Sequence, residues 1–399
     1  MSQFPSGWPR ARPSLDSRAM DFTLSDEQRN FVEAIRDFCN RECGKQEQRE
    51  RLTEGYEHSH SAEIYKKMAD LGWLGLTIDE GLGGSGGGMV DACLFMEETS
   101  RGLAPIGGYG TTLIVAGAVE RFGSEEQKQQ ILGGIASGSV EAIAMTEPEA
   151  GSDVGSLTTF AERVNGGFVI NGTKVFCSNA HISDHVLVVC RTTKGESKHD
   201  GLSMLFVPTD NPQMEIKPID TLGGRETNYL YLSDCEVPAD AVLGEVDQAW
   251  MQLMAGLNVE RLILAAIQLG IGRRAFDDTL AYVKERRQFG RPIGSFQALQ
   301  HRLADIATEL EASRLMTYWV ASRVDEDPKR LLPREASMVK LKVTETAQKA
   351  ALEGMQMMGG YGYSSEYDME RLVRTTLVST IYGGTSEIQR NIIAKTYGL

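Results

Sequence analysis

A chain of 399 residues, 41% hydrophobic and 24% charged, exceeds what one hydrophobic core organises, so two or three domains are expected. Its net charge of -14 argues against a sequence-independent binder of nucleic acid or anionic membrane, because both need a basic face to displace counterions. No apolar run is expected to reach the roughly 20 residues that span a bilayer, and six scattered cysteines without a CxxC pair point to reduced thiols rather than a disulfide frame or a zinc site.

Residues 1–19 hold three prolines and no amphipathic period, which predicts a disordered leader; their arginines and serines also allow an organelle transit sequence. A helical domain is expected over 20–141, with Ser25 as N-cap before DEQRNFVEAIRDFC. Ile64, Met68, Leu71 and Leu74 repeat at helical spacing, and a second amphipathic run covers Val90 to Met96. Between these runs lies GLGGSGGG, residues 81–88. It lacks the Lys-Ser or Lys-Thr ending of a P-loop, so it reads as a mobile turn between helices rather than a phosphate cradle. His58 and His60 have no third ligand nearby and read as solvated loop histidines.

Over 142–245 the period changes from 3.6 to 2. FVI, TKVFC, HVLVVC, LSMLFV and YLYL are short and β-rich, and Asn165-Gly166 and Asn171-Gly172 read as two-residue hairpin turns. This predicts a small antiparallel β domain. From 246 to 399 the helical pattern returns, broken near Gly290–Gly294, Pro328–Pro333 and Gly359–Gly362, as expected of a four-helix bundle. The fold class is therefore α+β, helical domain, β domain, helical bundle; without βαβ alternation a Rossmann fold is not expected.

The C-terminal part opens on a long helical run from about Asp247 to Arg286. Leu253, Leu257, Leu264, Ile267 and Ile271 fall in one apolar stripe, and Glu260 falls inside it. A buried carboxylate must be paired, coordinated or pushed to a raised pKa. From the helix alone, Glu260 is either half of a structural ion pair with Arg261 or another cation, or a tuned catalytic base.

Three further stretches carry chemistry. AMTEPEAGSDVGS (144–156) offers hydroxyls and a glycine at the entry to the β domain. QMMGGYGYSSEYDMERLVR (356–374) gives a glycine turn that opens toward a helix, a natural anion site. IYGGTSEIQR (381–390) is the third.

In this order across an α–β–α chain, the stretches resemble the acyl-CoA dehydrogenase family over nearly all of Met20 to Leu399. The resemblance implies an FAD enzyme, usually a homotetramer (a dimer of dimers), that converts an acyl-CoA to trans-2-enoyl-CoA and passes electrons to electron-transferring flavoprotein. The net charge and the lack of a clustered metal-ligand set lead to the expectation of no nucleic-acid partner, no membrane partner and no metal. The resemblance assigns Met145, Thr146, Gly151 and Ser152 to the flavin ring and the start of the CoA path. Phe176 and Ser178 match an aromatic, most often Trp, and a hydroxyl beside the flavin. Arg286, Phe289 and Gln297 match a segment reaching the FAD of a neighbouring subunit; Gln356, Gly359 and Gly360 match the turn for its adenosine diphosphate part, and Thr385 and Glu387 contact the own-subunit side. Ser152, Asn258, Arg261, Gly383 and Gly384 are expected against substrate.

One departure bears on mechanism. Most members read Tyr-Glu-Gly-Thr in the third stretch and use that Glu as base, whereas this chain has Tyr382, Gly383, Gly384 and Thr385. Isovaleryl-CoA and long-chain members place the base in a Glu-Arg pair on the long C-terminal-domain helix, which Glu260-Arg261 matches. Gly383 keeps the backbone N–H expected, with the flavin's ribityl hydroxyl, to hold the enolate oxygen. A second departure, Arg374-Thr375-Thr376 for Arg-Asp, reads as a lost ion pair. Gly107, Gly108 and Gly110 favour a roomy acyl pocket. Three other readings stay open: a partner-dependent subunit without its own catalysis, an oxidase relative that uses oxygen, and a DNA-binding relative, which the charge opposes. The compartment expected is the cytoplasm, or alternatively the mitochondrial matrix.

Overall fold

Ser25 opens the first helix through a reciprocal capping box: its Oγ accepts from the Gln28 N–H at 3.1 Å, and Gln28 Oε1 accepts from the Ser25 N–H at 3.2 Å. The computed structural model describes residues 23–399, so the expected leader and Met20 lie outside the described residues. Helices α1 (Asp26–Cys43), α2 (Gln46–Leu52), α3 (Ala62–Asp70), α4 (Met89–Arg101) and α5 (Gly108–Phe122), then short α6 (Glu125–Gln127) and α7 (Gly133–Ser137), precede the sheet.

Two expectations in this part can be set against the structure. In the glycine-rich turn, the N–H groups of Gly83, Gly84, Ser85, Gly86 and Gly87 donate to the carbonyls of Glu80, Asp79, Gly75, Ile78 and Leu76. With its donors taken by its own chain, the segment is a closed turn between helices with no free N–H groups to cradle a phosphate, as expected of a turn. His60 is not solvated: it packs edge-on against Tyr65, accepts from the Gly108 N–H at 3.3 Å, and burial brings its pKa down to about 4.

The sheet holds β1 (Glu141–Ala144), β2 (Phe160–Val164), β3 (Gly167–Ser178), β4 (His185–Arg191), β5 (Leu202–Pro208), β6 (Met214–Thr221) and β7 (Gly224–Pro238), in the order β1-β4-β2-β3-β7-β6 with β5 also on β4. It is mostly antiparallel, but β1 and β2 both join β4 in parallel. β4 and β5 are buried on both faces. Val186, Val188, Leu205 and Val207 pack within the sheet domain, while Leu187, Val189, Met204 and Phe206 share a core with Val115 and Val119 of α5, which is why their sequences run apolar without alternation. Asn165-Gly166 is the expected hairpin turn, closed by the Val164–Gly167 pair. Asn171-Gly172 is not a turn; it is a bulge inside β3, where the register against β7 shifts and the Asn171 amide exchanges hydrogen bonds with Asp234.

The C-terminal part comprises α8 (Ala249–Glu285), a hairpin of β8 (Arg287–Gln288) and β9 (Arg291–Pro292), α9 (Gln297–Glu326), α10 (Pro333–Met358), α11 (Gly360–Tyr363), α12 (Met369–Ser379) and α13 (Ser386–Lys395). α8 packs on α4, α5, α9, α10 and α12. It is therefore buried on most sides rather than along one stripe: Leu262, Ile263, Ala265, Ala266 and Leu269 are as buried as Leu253 and Ile271. The Leu257 side chain lies outside the described residues. α8 also corrects the expectation about apolar runs. With a mean hydropathy of 1.4 over its most apolar stretch it is long and apolar enough to cross a bilayer, yet 69% of that stretch is buried inside the protein. All six cysteines are free and buried.

Candidate active site

Glu260 lies within α8 and is only 7% exposed. Its Oε2 has no hydrogen-bond partner among the described residues. The neighbouring Arg261 turns toward Asn258, its Nη1 donating to Oδ1 at 3.3 Å, so the structural ion pair does not form. Burial pushes the Glu260 pKa up, and the Arg261 and Lys340 cations offset only part of that rise.

The turn over Tyr382–Thr385 meets this carboxylate. Gly383 and Gly384 have φ of 60° and 83°, the left-handed region in which glycine carries no Cβ penalty. A Cβ on Gly383 would collide with Leu264 Cδ1 and stand 3.7 Å from Glu260 Oε1. The Leu264 methyl fills the space from which a side chain at 383 would begin, and the Glu260 carboxylate lies in van der Waals reach beside it. Among the described residues no acceptor takes the Gly383 N–H. The turn is held from three sides: Lys340 Nζ donates to Ser379 O and Gly384 O at 2.9 Å each, Gln389 Nε2 to Gly383 O and Gly384 O at 2.9 Å each, and Gln268 Nε2 to Tyr382 Oη at 2.9 Å. Thr385 caps α13, its Oγ1 accepting from the Ile388 N–H at 3.3 Å, while Glu387 is exposed.

At the entry to the sheet, Lys174 of β3 anchors the 144–159 stretch. Its Nζ, fully buried, donates to Met145 O at 3.0 Å and Glu147 Oε1 at 2.8 Å, and the Val175 N–H donates to Thr146 O at 2.9 Å. The Glu147 carboxylate also accepts from the N–H groups of Thr158 and Thr159. These bonds bring Met145 and Thr146 beside the end of β3 that carries Phe176 and Ser178. Phe176 has φ 57° and is 63% exposed, an aromatic face held outward. Gly151 and Ser152 lie in the exposed part of the same loop.

A cavity of about 870 Å³ opens on the C-terminal part, lined among others by Arg286, Phe289, Phe296, Gln356, Gly359, Gly360 and Tyr361. Arg286 stands 5.5 Å from the Tyr361 ring centroid. Cations, aromatic faces and a turn of bare backbone suit a ligand with both a ring and an anion. Gln297 does not line it, although its neighbours Phe296 and Ala298 do. Nor do Met145, Thr146, Gly151, Ser152, Phe176, Ser178, Thr385 or Glu387 line it.

Comparison with known proteins gives the same picture. Residues 25–139, 142–235 and 247–398 match the N-terminal, middle and C-terminal domains of acyl-CoA dehydrogenase. The chain belongs to the acyl-CoA dehydrogenase family. A probable acyl-CoA dehydrogenase of Bacillus subtilis (strain 168) is 37% identical over 94% of this chain and 99% of its own length. The mitochondrial isovaleryl-CoA dehydrogenase of Solanum tuberosum is 34% identical over 96% and 93%. The crystal structure of an acyl-CoA dehydrogenase from Geobacillus kaustophilus matches with a TM-score of 0.88 at 33% identity, covering 95% of this chain and all of that one (100%). As a family member this chain is an FAD-dependent oxidoreductase acting on acyl-CoA, and the outward Phe176 and the ring-and-anion cavity fit that cofactor.

Several residues of the site went unread in the sequence. Lys340, Gln268 and Gln389 fix the Gly383 turn from positions 43, 115 and 6 residues away along the chain, and Lys174 and Glu147 are 27 apart. Only pairing across elements reveals them. Of the glycines expected to widen the acyl pocket, Gly110 faces α8, where a Cβ would stand 3.4 Å from Ile267 Cδ1. Gly107 and Gly108 point instead at Ser59 and Val140, so they add no room there. Arg374, without the family's Asp beside it, still pairs with Glu370 at 2.8 Å.

Proposed function

We propose that this chain dehydrogenates an acyl-CoA thioester between Cα and Cβ, leaving trans-2-enoyl-CoA, with Glu260 as the base that takes the α proton. The observation that carries the reading is a buried carboxylate, one oxygen unpartnered, set against the Gly383 turn.

The α proton of a thioester is far less acidic than a carboxylic acid. Its removal therefore needs a base of raised pKa and preorganised donors for the developing enolate oxygen. Burial supplies the first at Glu260. The Gly383 N–H supplies a donor for the second, held in place by the bonds that Gln389 and Lys340 make to the carbonyls of Gly383 and Gly384. FAD, when bound, supplies the acceptor for the hydride that leaves Cβ. Met145, Thr146, Phe176 and Ser178 would hold its ring, and Arg286, Gly359 and Gly360 its adenosine diphosphate part.

The same reading takes a homotetramer as the working form, because the cavity at Arg286 and Gly359 is not lined by Met145, Thr146, Phe176 or Ser178, as expected when two chains share one FAD. It takes electron-transferring flavoprotein as the electron acceptor and the cytoplasm as the compartment, in keeping with six unpaired thiols.

Anaerobic addition of a panel of straight and branched acyl-CoAs to the FAD-loaded protein tests the reaction. At least one thioester is expected to bleach the flavin and yield trans-2-enoyl-CoA. No bleaching across the panel, with FAD bound, contradicts the reading.

A further inference from the structure

We infer that Lys340 is a positioning residue of this site, clasping the Gly383 turn and setting the charge that Glu260 works against; the inference rests on Glu260 being the base.

Lys340 lies on α10 and is fully buried, at 0% exposure. Its Nζ bonds Ser379 O and Gly384 O, which bracket the turn, at 2.9 Å each, and stands 5.8 Å from the Tyr382 ring centroid. One ammonium thus ties the end of α12 to the residue after Gly383. Carbonyl dipoles alone leave a buried ammonium costly, and an apolar side chain of the same length would fill the space without that cost. The charge makes sense against the neighbouring carboxylate. Burial lowers Lys340 to about 8, and Glu260 is the chief group that opposes the fall. Reciprocally, Lys340 and Arg261 are the two cations that restrain the rise of Glu260. The other charged groups acting on Lys340 are Arg261 of α8, Glu345 of α10 and Glu387 of α13, and Tyr382 faces it from the turn.

Lys340 therefore does two things at once. It keeps the Gly383 N–H where the enolate oxygen forms, and it keeps enough of Glu260 ionised to accept a proton near neutral pH. Removing the charge raises the Glu260 pKa further, so the acid limb of the reaction moves to higher pH.

The test uses FAD-loaded wild type, Lys340→Gln, Lys340→Arg and Glu260→Gln. It measures the single-turnover rate of anaerobic flavin reduction from pH 5 to 9 with the acyl-CoA that bleaches wild type best, together with FAD content and substrate Kd. Lys340→Gln is expected to slow reduction at pH 7 by roughly 10–100-fold with Kd nearly unchanged, and to move the acid limb up by about half a pH unit or more. Lys340→Arg is expected to return the acid limb to its wild-type position. A Lys340→Gln protein that reduces its flavin with the wild-type profile overturns the inference. So does an FAD-loaded Lys340→Arg whose acid limb is displaced, which decides the matter if Lys340→Gln does not fold. Glu260→Gln separates the two levels: if it reduces flavin as fast as wild type, the base assignment fails, whereas an inactive Glu260→Gln beside a wild-type-like Lys340→Gln removes only the role of Lys340.

Discussion

Burying Glu260 without a partner on Oε2 sets stability against reactivity. Its pKa is raised by burial, so the folded state holds that proton more tightly than the unfolded chain does. The favourable contribution is complete below the ordinary carboxylate pKa and is lost as pH rises through the raised value. At pH 8 the ionised group is a liability that Gln does not share. Glu260→Gln is therefore expected to melt roughly 2–4 °C higher than wild type at pH 8, with the gap closing as pH falls toward 5. Calorimetry at the two pH values checks this, and an equal gap at both contradicts it. Glu260 was legible in the sequence because a carboxylate inside an apolar period is anomalous whatever surrounds it. Lys340 was not, because a lysine in ASMVKLKVTET reads as an ordinary polar position, and only the return of the chain at Ser379 and Gly384 gives it a task.

At the scale of elements, the Lys174–Glu147 pair ties the 144–159 loop to β3. Burial lowers the Lys174 pKa, and Glu147 acts against that fall. Although burial opposes it, the Lys174 charge and its hydrogen bond bring Glu147 down from 4.5 to about 2. The Glu147 contribution is therefore present above the ordinary carboxylate pKa and is lost as pH falls toward about 2. Replacing one partner strands the other: Glu147→Gln is expected to destabilise by about 3–5 kcal/mol, and adding Lys174→Met to recover part of it. Urea unfolding of the two variants measures this, and a double variant worse than Glu147→Gln contradicts it. The fold's elements were legible where period decides, as in α1 with its cap or the doubly buried β4 and β5. They were not legible where a local signal has two outcomes. Asn-Gly closes a hairpin at Asn165 and forms a bulge at Asn171, and only the pairing with β7 distinguishes them.

At the scale of the molecule, α8 is the axis on which the account turns. It packs on both helical parts and carries Glu260, the proposed base, while the cavity at Gly359 and the outward Phe176 are where the proposed reading seats the cofactor. Phe289, 92% exposed on the β8–β9 hairpin, is where the proposed assembly is most easily tested. Phe289→Asp is expected to lower the mass seen by light scattering and to reduce bound FAD severalfold; unchanged mass and FAD content contradict a shared site. The domain order was readable from the change of period along the chain. Which chain would supply which wall of the cofactor site was not readable from periodicity; the sequence offered it only through the family resemblance of the 286–297 and 356–360 segments.

The central claim, that Glu260 takes the α proton, is tested most directly by exchange at Cα. The FAD-loaded protein is held in D₂O with an acyl-CoA carrying sulfur in place of the β carbon, which has an acidic α proton and no β hydride to lose. Wild type is expected to incorporate deuterium at Cα, and Glu260→Gln to do so slower by roughly 10²–10⁴-fold with FAD still bound. Equal exchange in the two proteins would place the base elsewhere.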